Sequence, residues 1–306
     1  MSTDPKTILM DLSYKGLIRA SGADAVAFLQ GQLSIDIEKL DTSMTRLCSW
    51  NTAKGRVVTL IRVFRRGEDI FLALPGGLKA QVLKRLSMYV LRSKVTLTDA
   101  SSEFGCLGLM GEGAAELMAQ ANIPVPMHPD EATSTDALQV LRLHGEFPRY
   151  VIYGAESALA SLKQSWEPVT AAGTEDDWSL RRILTGEPTV HPETSEHFVA
   201  QMLDLDKLGG IDFKKGCYIG QEVIARAHYR GGVKRHLVRA ECRTSSRLKP
   251  GTDIHAKGHD SPVGEVVDAR PDAQGVWQML IVIQDDFREK DLTYATDSAA
   301  VKILKS

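Results

Sequence analysis

The residues best suited to chemistry lie in one glycine-rich, basic stretch, residues 209–235, with the sequence GGIDFKKGCYIGQEVIARAHYRGGVKR. Lys214 and Lys215 come just before Cys217. Two nearby ammonium groups favour the thiolate, which is the nucleophilic form of cysteine. A helix that begins near Gly220 would add its positive N-terminal end to the same region. The pattern therefore predicts a reactive thiol. The alternative is that Cys217 is a small packing residue beside solvated lysines.

Two further charged residues of this stretch, Glu222 and Arg226, lie four positions apart on the predicted helix. Glu222 would complement the positive end of the helix dipole. An ion pair between the two residues would contribute only about 0.2–0.5 kcal/mol on an exposed helix. So small a gain does not explain the whole motif.

The spacing of the cysteines predicts neither a metal site nor a disulfide framework. Cys48, Cys106, Cys217 and Cys242 lie far apart and form no C-x-x-C pair, and the histidines are scattered. Metal sites and disulfide scaffolds both require closely patterned ligands or bridges. We therefore expect no metal ligand, and we expect reduced thiols in a cytoplasmic protein.

Composition sets limits on the class of protein and on its partners. The 306 residues are 43% hydrophobic and 25% charged, which is typical of a globular chain, and the length predicts two or three units. The formal charge of −2 provides no overall positive field. We therefore expect neither nucleic acid nor a membrane as a partner. Residues 1–16 do not have the pattern of a leader peptide.

The elements that must position these residues are short helices mixed with hairpins. Strand-like runs flank a loop within residues 56–74, and apolar residues at helical spacing predict an amphipathic helix over 78–92. Such alternation favours an α+β architecture over a doubly wound sheet. After Lys234, three predicted strands separated by turns indicate a small antiparallel barrel or sandwich; they cover residues 236–242, 263–268 and 276–283.

A specific resemblance rests on K-G-C-Y-x-G-Q-E at residues 215–222, followed by Arg226 and by Tyr229-Arg230-Gly231. This pattern resembles the signature of the folate-binding YgfZ family, which is related to the glycine-cleavage aminomethyltransferases. Three more segments resemble the family in the same order along the chain: FLQGQLSID (28–36), NTAKGRV (51–57) and LDKLGGIDFKKG (205–216).

The resemblance implies a fold, a ligand and a role. The implied fold has two intertwined α+β domains and a C-terminal antiparallel β-barrel around a central channel. We accordingly expect a first folate-binding α+β domain over 1–100, a second α+β domain with the signature over 101–234, and the barrel over 235–306. The implied ligand is tetrahydrofolate or a one-carbon derivative. The implied partners are iron–sulfur client or assembly proteins.

The same resemblance implies site residues. Cys217 would be the reactive centre of an accessory protein for iron–sulfur cluster assembly or repair. The folate-binding residues would be Gln32, Asn51, Lys54, Lys215, Tyr218, Gln221, Glu222 and Arg226. The amide of Gln32 offers both a donor and an acceptor to a pterin ring. Without the resemblance, Lys54 would be interpreted as part of a simple turn.

The chain departs from the transferase pattern at positions that matter for one-carbon transfer. Thr59 and Leu60 stand where the transferases carry acidic residues in a segment similar to K-G-G-V-I-D-D-L, and Leu184 replaces another acidic residue. No carboxylate is then available to stabilise charge on the folate amine. We do not expect glycine-cleavage aminomethyl transfer.

Two alternative functions stay open. One is a folate-dependent one-carbon transferase that acts on an unidentified acceptor. The other is a folate-binding adaptor without chemistry, for which Cys217 would be dispensable. Because one thiol cannot replace the four cysteines of a typical cluster, we do not expect a monomer to carry a stable cluster.

Overall fold

The computed structural model of the protein describes residues 7–145, 147–295 and 297–304. Residues 1–6, part of the stretch searched for a leader peptide, lie outside the described residues. No helix in the described part of the chain combines the length and the apolar character needed to cross a membrane.

The described strands, in chain order, are β1 (Ile8–Asp11), β2 (Gly16–Ser21), β3 (Thr45–Asn51), β4 (Val57–Arg66), β5 (Asp69–Leu74), β6 (Thr96–Asp99), β7 (Gly105–Met110), β8 (Ala132–Ser134), β9 (Leu138–Arg142), β10 (Arg149–Gly154), β11 (Ala171–Ala172), β12 (Arg235–Cys242), β13 (Asp253–Ala256), β14 (Gly264–Pro271), β15 (Trp277–Gln284), β16 (Leu292–Tyr294) and β17 (Ala300–Ile303). The α-helices are α1 (Ala25–Gln30), α2 (Gly76–Ser87), α3 (Ala114–Gln120), α4 (Glu156–Trp166), α5 (Glu175–Leu184) and α6 (Gln221–Tyr229).

These elements belong to two compact units, and each unit is assembled from separate segments of the sequence. Unit 1 comprises the residues up to 31, 35–48 and 61–178. Unit 2 comprises 32–34, 49–60 and 179 onward. The expected three-part division, with boundaries after residues 100 and 234, stays a prediction.

Unit 1 contains a six-stranded sheet in the order β11-β1-β7-β10-β9-β8, and it contains most of a five-stranded sheet in the order β3-β4-β5-β2-β6. The first eight residues of β4 are all buried, and all but Thr59 and Arg62 are apolar, as expected for a strand covered on both faces. Phe64 of β4 stacks on Phe71 and on Tyr153, with 5.2 Å between ring centroids in both pairs. This aromatic stack forms part of an apolar core around the buried Trp178.

Unit 2 contains a closed barrel in the order β12-β15-β14-β13-β16-β17, and its neighbouring strands are antiparallel. Alternate residues of β15, Met279, Ile281 and Ile283, point into a shared apolar core, which follows from the two-residue period of a strand. Closure leaves no unpaired strand edge. The three strands predicted after Lys234 are confirmed as β12, β14 and β15.

The barrel also holds a buried charge. Asp268, beside a register shift in β14, is fully buried, and it forms ion pairs with Arg182 and Arg270. His191 Nε2 lies 3.3 Å from Asp268 Oδ1. A buried carboxylate is tolerated only when it is paired and hydrogen-bonded. The barrel therefore needs these partners to hold Asp268 inside its wall.

Candidate functional site

The stretch that precedes α6 is an irregular loop fixed by backbone hydrogen bonds. The N–H of Asp212 donates to the carbonyl of Ser34 at 2.8 Å, and the hydroxyl of Ser34 donates to the carbonyl of Gly210 at 2.6 Å. Ser34 Oγ in turn accepts from the N–H of Ser49 at 2.8 Å. Residues 32–34, 49–51 and 210–212 are thereby tied together within unit 2, although they are far apart in sequence.

Lys215 anchors this loop from the inside. Its side chain is buried, and Nζ donates a 2.6 Å hydrogen bond to the carbonyl of Leu33. The ammonium also lies 4.9 Å from the centre of the Tyr218 ring, within the range of a cation–π interaction. Burial, and then the negative charge of Asp212, raise the pKa of Tyr218, so its hydroxyl stays protonated. Lys215 and Tyr218 thus fix the loop on both sides of Cys217.

Cys217 itself is exposed to solvent, whereas Cys48, Cys106 and Cys242 are buried. Lys214 is exposed as well. The buried side chains of Lys215 and Tyr218 hold the loop on either side of Cys217. The loop therefore presents the thiol of Cys217 to solvent. Cys217 is therefore the cysteine that a second molecule can reach.

Glycines bring the signature into contact with residues 51–57. Gly220 has φ +82°, and a Cβ there would lie 2.5 Å from the carbonyl oxygen of Thr52. Gly55 has φ +71°, and a Cβ there would lie 2.7 Å from Cβ of Val223. Both positions require a left-handed backbone and close approach, which glycine alone provides at low cost. The two motifs consequently pack against each other at the start of α6.

Asn51 lies at this contact with an unsatisfied side chain. It is 2% exposed, and neither Oδ1 nor Nδ2 makes a hydrogen bond within the described part of the chain. Its Cβ is 3.2 Å from the position that a Cβ on Gly220 would take. A buried polar group without a partner costs about 1–3 kcal/mol. Such a group is expected where a ligand completes the hydrogen bonding.

Gln201 is a second buried amide beside α6, and sequence reasoning missed it. Its Nε2 donates to the carbonyl of Ile224 at 2.6 Å, which fixes the orientation of the amide. Its Oε1 is buried and accepts no hydrogen bond from a described residue. The only sequence signal is a polar residue within the short apolar run of a 3₁₀ helix, Ala200–Leu203.

Several known proteins are similar to this chain. Residues 2–143 match the GCVT N-terminal domain family. The tRNA-modifying protein YgfZ of Colwellia psychrerythraea is 33% identical over 233 residues, which cover 76% of this chain and 71% of that protein. The chain belongs to the YgfZ family. YgfZ proteins of Shigella boydii and Yersinia enterocolitica are 28% and 31% identical, and the alignments cover 95% and 77% of this chain and 90% and 71% of those proteins.

The YgfZ fold is shared with a glycine-cleavage aminomethyltransferase. The crystal structure of aminomethyltransferase T from Bartonella henselae superposes with a TM-score of 0.79 at 15% sequence identity. The match covers 99% of this chain and 86% of that chain. Together with the mixed sheets and helices and the closed barrel, this confirms the predicted aminomethyltransferase-like α+β fold class.

The other residues predicted for the YgfZ site lie in different surroundings. Gln32 is buried, and its Oε1 accepts a 3.3 Å hydrogen bond from Trp50 Nε1, next to Asn51. Lys54 is exposed in the turn before β4, and Gln221 begins α6. Unit 2 therefore brings Gln32, Asn51 and Lys215 into one hydrogen-bonded region. Their roles toward a ligand stay predictions.

Glu222 and Arg226 are both exposed on α6. Within the part of the chain that the structure describes, no ion pair joins them. The alternative of a purely local pair is therefore not what positions these side chains. Their predicted contribution to ligand binding stays a prediction.

Proposed function

We propose that this YgfZ-family chain is a folate-binding accessory protein that supports iron–sulfur enzymes, with Cys217 as its reactive thiol. The observation that carries the proposal is the buried amide of Asn51, whose polar atoms both lack hydrogen-bond partners among the described residues at the place where the family signature packs against residues 51–57. The ligand proposed is tetrahydrofolate or a one-carbon derivative. The proposed location is the cytoplasm, where the exposed thiol of Cys217 stays reduced.

The chemistry of the unpaired amides supports a pterin ligand. An amide side chain offers two donors and an acceptor, and the edge of a pterin ring likewise carries both kinds of group. Gln201 Oε1 offers one further acceptor. Binding sites for small molecules typically combine apolar walls with a few fixed polar groups. Asn51 and Gln201 have the properties of such groups.

The names of the relatives support a particular kind of client. The relatives are named tRNA-modifying proteins, whereas the signature implies a role for iron–sulfur enzymes. We propose that the clients include an iron–sulfur enzyme that modifies tRNA. Such a client agrees both with the names of the relatives and with the role that the signature implies. Cys217 would then act on the client by transient thiol chemistry rather than by holding a cluster alone.

The residues at the positions where the transferases carry acidic residues do not support glycine-cleavage aminomethyl transfer by this chain. Thr59 and Leu60 are buried in β4, and the hydroxyl of Thr59 donates to the carbonyl of Leu60 at 3.1 Å. Neither offers a carboxylate to the folate amine. Two functions compete with this proposal: one-carbon transfer to another acceptor, and an adaptor role without chemistry. The adaptor is distinguished from the others by whether Cys217 variants still support iron–sulfur enzymes.

Tetrahydrofolate is expected to raise the melting temperature of this protein. A ligand that binds only the native state at 100 times its Kd adds about 2.7 kcal/mol to the free energy of unfolding. Differential scanning calorimetry and calorimetric titration with reduced folates measure the effect. If millimolar folate produces neither heat nor a thermal shift, folate has no place in the function.

Asn51→Leu is expected to stabilise the free protein while it weakens folate binding. Leucine has the same number and branching of side-chain heavy atoms and leaves no unpaired polar atom, so the free energy of unfolding should rise by about 1–2 kcal/mol. The folate-induced thermal shift should fall by at least half. Both quantities come from melting curves recorded with and without tetrahydrofolate.

The matched control is Gln139→Leu in β9 of unit 1. Gln139 is equally buried, and its Oε1 also lacks a partner among the described residues, but it belongs to no family motif. Its variant should keep the full folate shift. A folate shift that survives Asn51→Leu unchanged would show that Asn51 is not a ligand residue.

A further inference from the structure

Three aromatic rings form a cluster beside the C-terminal end of α6, in which His228 and Tyr229 are exposed and Phe213 is half-buried. The rings of Phe213 and His228 stack with 3.8 Å between centroids and an interplanar angle of 17°. Tyr229 meets His228 edge-on at 4.7 Å between centroids, and it is 67% exposed. Packing within the chain thus leaves most of the Tyr229 ring uncovered. A large exposed ring next to a stacked pair is a surface on which another planar group can lie.

Exposed cationic residues neighbour these aromatic residues along the chain. Lys214 directly follows Phe213, Arg226 lies on α6, and Arg230 directly follows Tyr229; all three are exposed. Within the described residues none of the three forms an ion pair. Residues 209–235 carry six Lys or Arg against two Asp or Glu, in a chain whose formal charge is −2. Positive charge is therefore concentrated in residues 209–235. Lys214, Arg226 and Arg230 form no ion pair with described residues, so they are available to bind an anion from another molecule.

We infer that this surface, the α6 patch, formed by Phe213, Lys214, Arg226, His228, Tyr229 and Arg230, binds a single-stranded segment of RNA. Unstacked bases lie on aromatic rings and phosphates pair with Lys and Arg, and proteins that bind single strands combine these two features. An acidic peptide would use the cations but leave the ring of Tyr229 without a planar partner. The choice of RNA over DNA rests on the tRNA-modifying client of the proposed function.

The α6 patch shows why net charge is a poor guide to this partner. The overall charge of −2 led to the expectation that nucleic acid is not a partner, but it averages over both units. Electrostatic attraction to a strand acts over about a Debye length, roughly 10 Å at 0.1 M salt. A local group of three unpaired cations therefore matters more than the sum over the chain.

The test is fluorescence anisotropy with a labelled single-stranded RNA of about 12 nucleotides, titrated with the full-length protein between about 50 and 200 mM salt. Three phosphate contacts on a single strand predict a slope of about −2 in a plot of log affinity against log salt. Arg230→Ala should reduce the magnitude of that slope by about 0.7. Tyr229→Ala should weaken binding roughly 5-fold to 150-fold, the effect of losing one stacked base.

Matched controls come from exposed residues of unit 1. Tyr89 is 46% exposed and Arg92 is exposed. Tyr89→Ala and Arg92→Ala remove a tyrosine and an arginine side chain outside the α6 patch and should leave RNA affinity unchanged. Equal affinity of the wild type and Tyr229→Ala would overturn the assignment of the patch. So would equally tight binding of single-stranded DNA, or complete displacement of RNA by an equimolar polyglutamate peptide.

Folate binding separates this outcome from failure of the proposed function. Tyr229 and Arg230 are not among the proposed folate residues, so both variants should keep the thermal shift with tetrahydrofolate. Loss of RNA binding with the folate shift retained supports the patch. Retained RNA binding in Tyr229→Ala would overturn the assignment of the patch whether or not that variant keeps the folate shift.

Discussion

Cys217→Ser is expected to fold normally and to abolish support of iron–sulfur enzymes in cells that lack the native protein. Cys217 is exposed, so its replacement by a residue of similar size should change the free energy of unfolding by less than about 0.5 kcal/mol. A serine hydroxyl is not ionised at neutral pH and cannot replace the nucleophilic thiolate. The activity of an iron–sulfur enzyme in complemented cells measures the loss.

Cys106→Ser is the matched control for that variant. Cys106 lies in β7 within the core of unit 1, and burial raises the pKa of its thiol to about 12. A serine there buries a more polar group, which should cost about 1–3 kcal/mol. Function should then fall only in proportion to the folded fraction. If a stably folded Cys217→Ser protein gives full support, the thiol has no chemical role and the adaptor function remains.

Alkylation gives an independent readout of the same thiol. A small alkylating reagent at about pH 8 should modify Cys217 first, because burial raises the pKa of Cys106 to about 12 and that of Cys242 to about 11. Both buried thiols therefore contain little thiolate at this pH. Mass spectrometry of timed samples identifies the modified residue. Equal rates at Cys217 and Cys242 would contradict the presentation of Cys217 by its loop.

Asp268→Asn is expected to cause the largest loss of stability among these variants. Asp268 is fully buried, and its partners Arg182 and Arg270 are mostly covered. Removing one partner from a buried ion pair leaves uncompensated charge and costs about 3–5 kcal/mol. The urea midpoint at neutral pH measures this loss.

An exposed pair provides the control for Asp268→Asn. Glu103→Gln breaks the 2.8 Å ion pair between Glu103 and Arg19. The side chain of Arg19 is 28% exposed and that of Glu103 is 48% exposed. Exposed pairs contribute about 0–1 kcal/mol, so this variant should unfold close to the wild type. A similar midpoint for both variants would mean that the charges around Asp268 do not stabilise the barrel.

The same carboxylate predicts loss of stability in acid. Burial alone would raise the pKa of Asp268, but the charge of Arg182, then the hydrogen bond and charge of His191, and then Arg270 outweigh it and hold the pKa at about 2. An aspartate in an unfolded chain has a pKa near 3.9. Because the folded value is the lower one, the stabilisation is complete above about pH 4 and is lost as the pH falls toward 2.

The size of this acid effect follows from the difference between the two pKa values. At 1.36 kcal/mol for each pKa unit, Asp268 contributes roughly 2.6 kcal/mol. Urea midpoints measured between about pH 5 and pH 3 should therefore fall less steeply for Asp268→Asn than for the wild type. Parallel curves would contradict the assignment of the low pKa to Asp268.

The fold class could be predicted because its signals are local. The apolar run of β15 with the turns that flank it, and the mostly apolar run of β4, are patterns of residues that lie close together in the sequence. The start of α6 was predicted from the glycine and polar residues around Gly220, and it is confirmed at Gln221. The resemblance to the YgfZ family rested on residues that are close in sequence.

The contacts at the candidate site could not be predicted in the same way. Lys215 donates to a backbone carbonyl 182 residues away, and every residue carries such a carbonyl, so no sequence pattern identifies the acceptor. Both polar atoms of Asn51, and Oε1 of Gln201, lack hydrogen-bond partners among the described residues, and this became evident only once the surrounding atoms were placed. No sequence pattern indicates that Lys215 is an internal anchor rather than a solvated charge beside Cys217.

The amino-acid sequence by itself determined the α+β class, three of the six barrel strands, the signature with Cys217 and the family, because periodicity and motif spacing act over short stretches of chain. The tertiary structure decided which thiol is exposed, which charges gather at Asp268, and which amides near α6 are left without partners. These properties depend on segments distant in sequence meeting at separations of 2.5–3.5 Å, where hydrogen bonds and ion pairs form or fail.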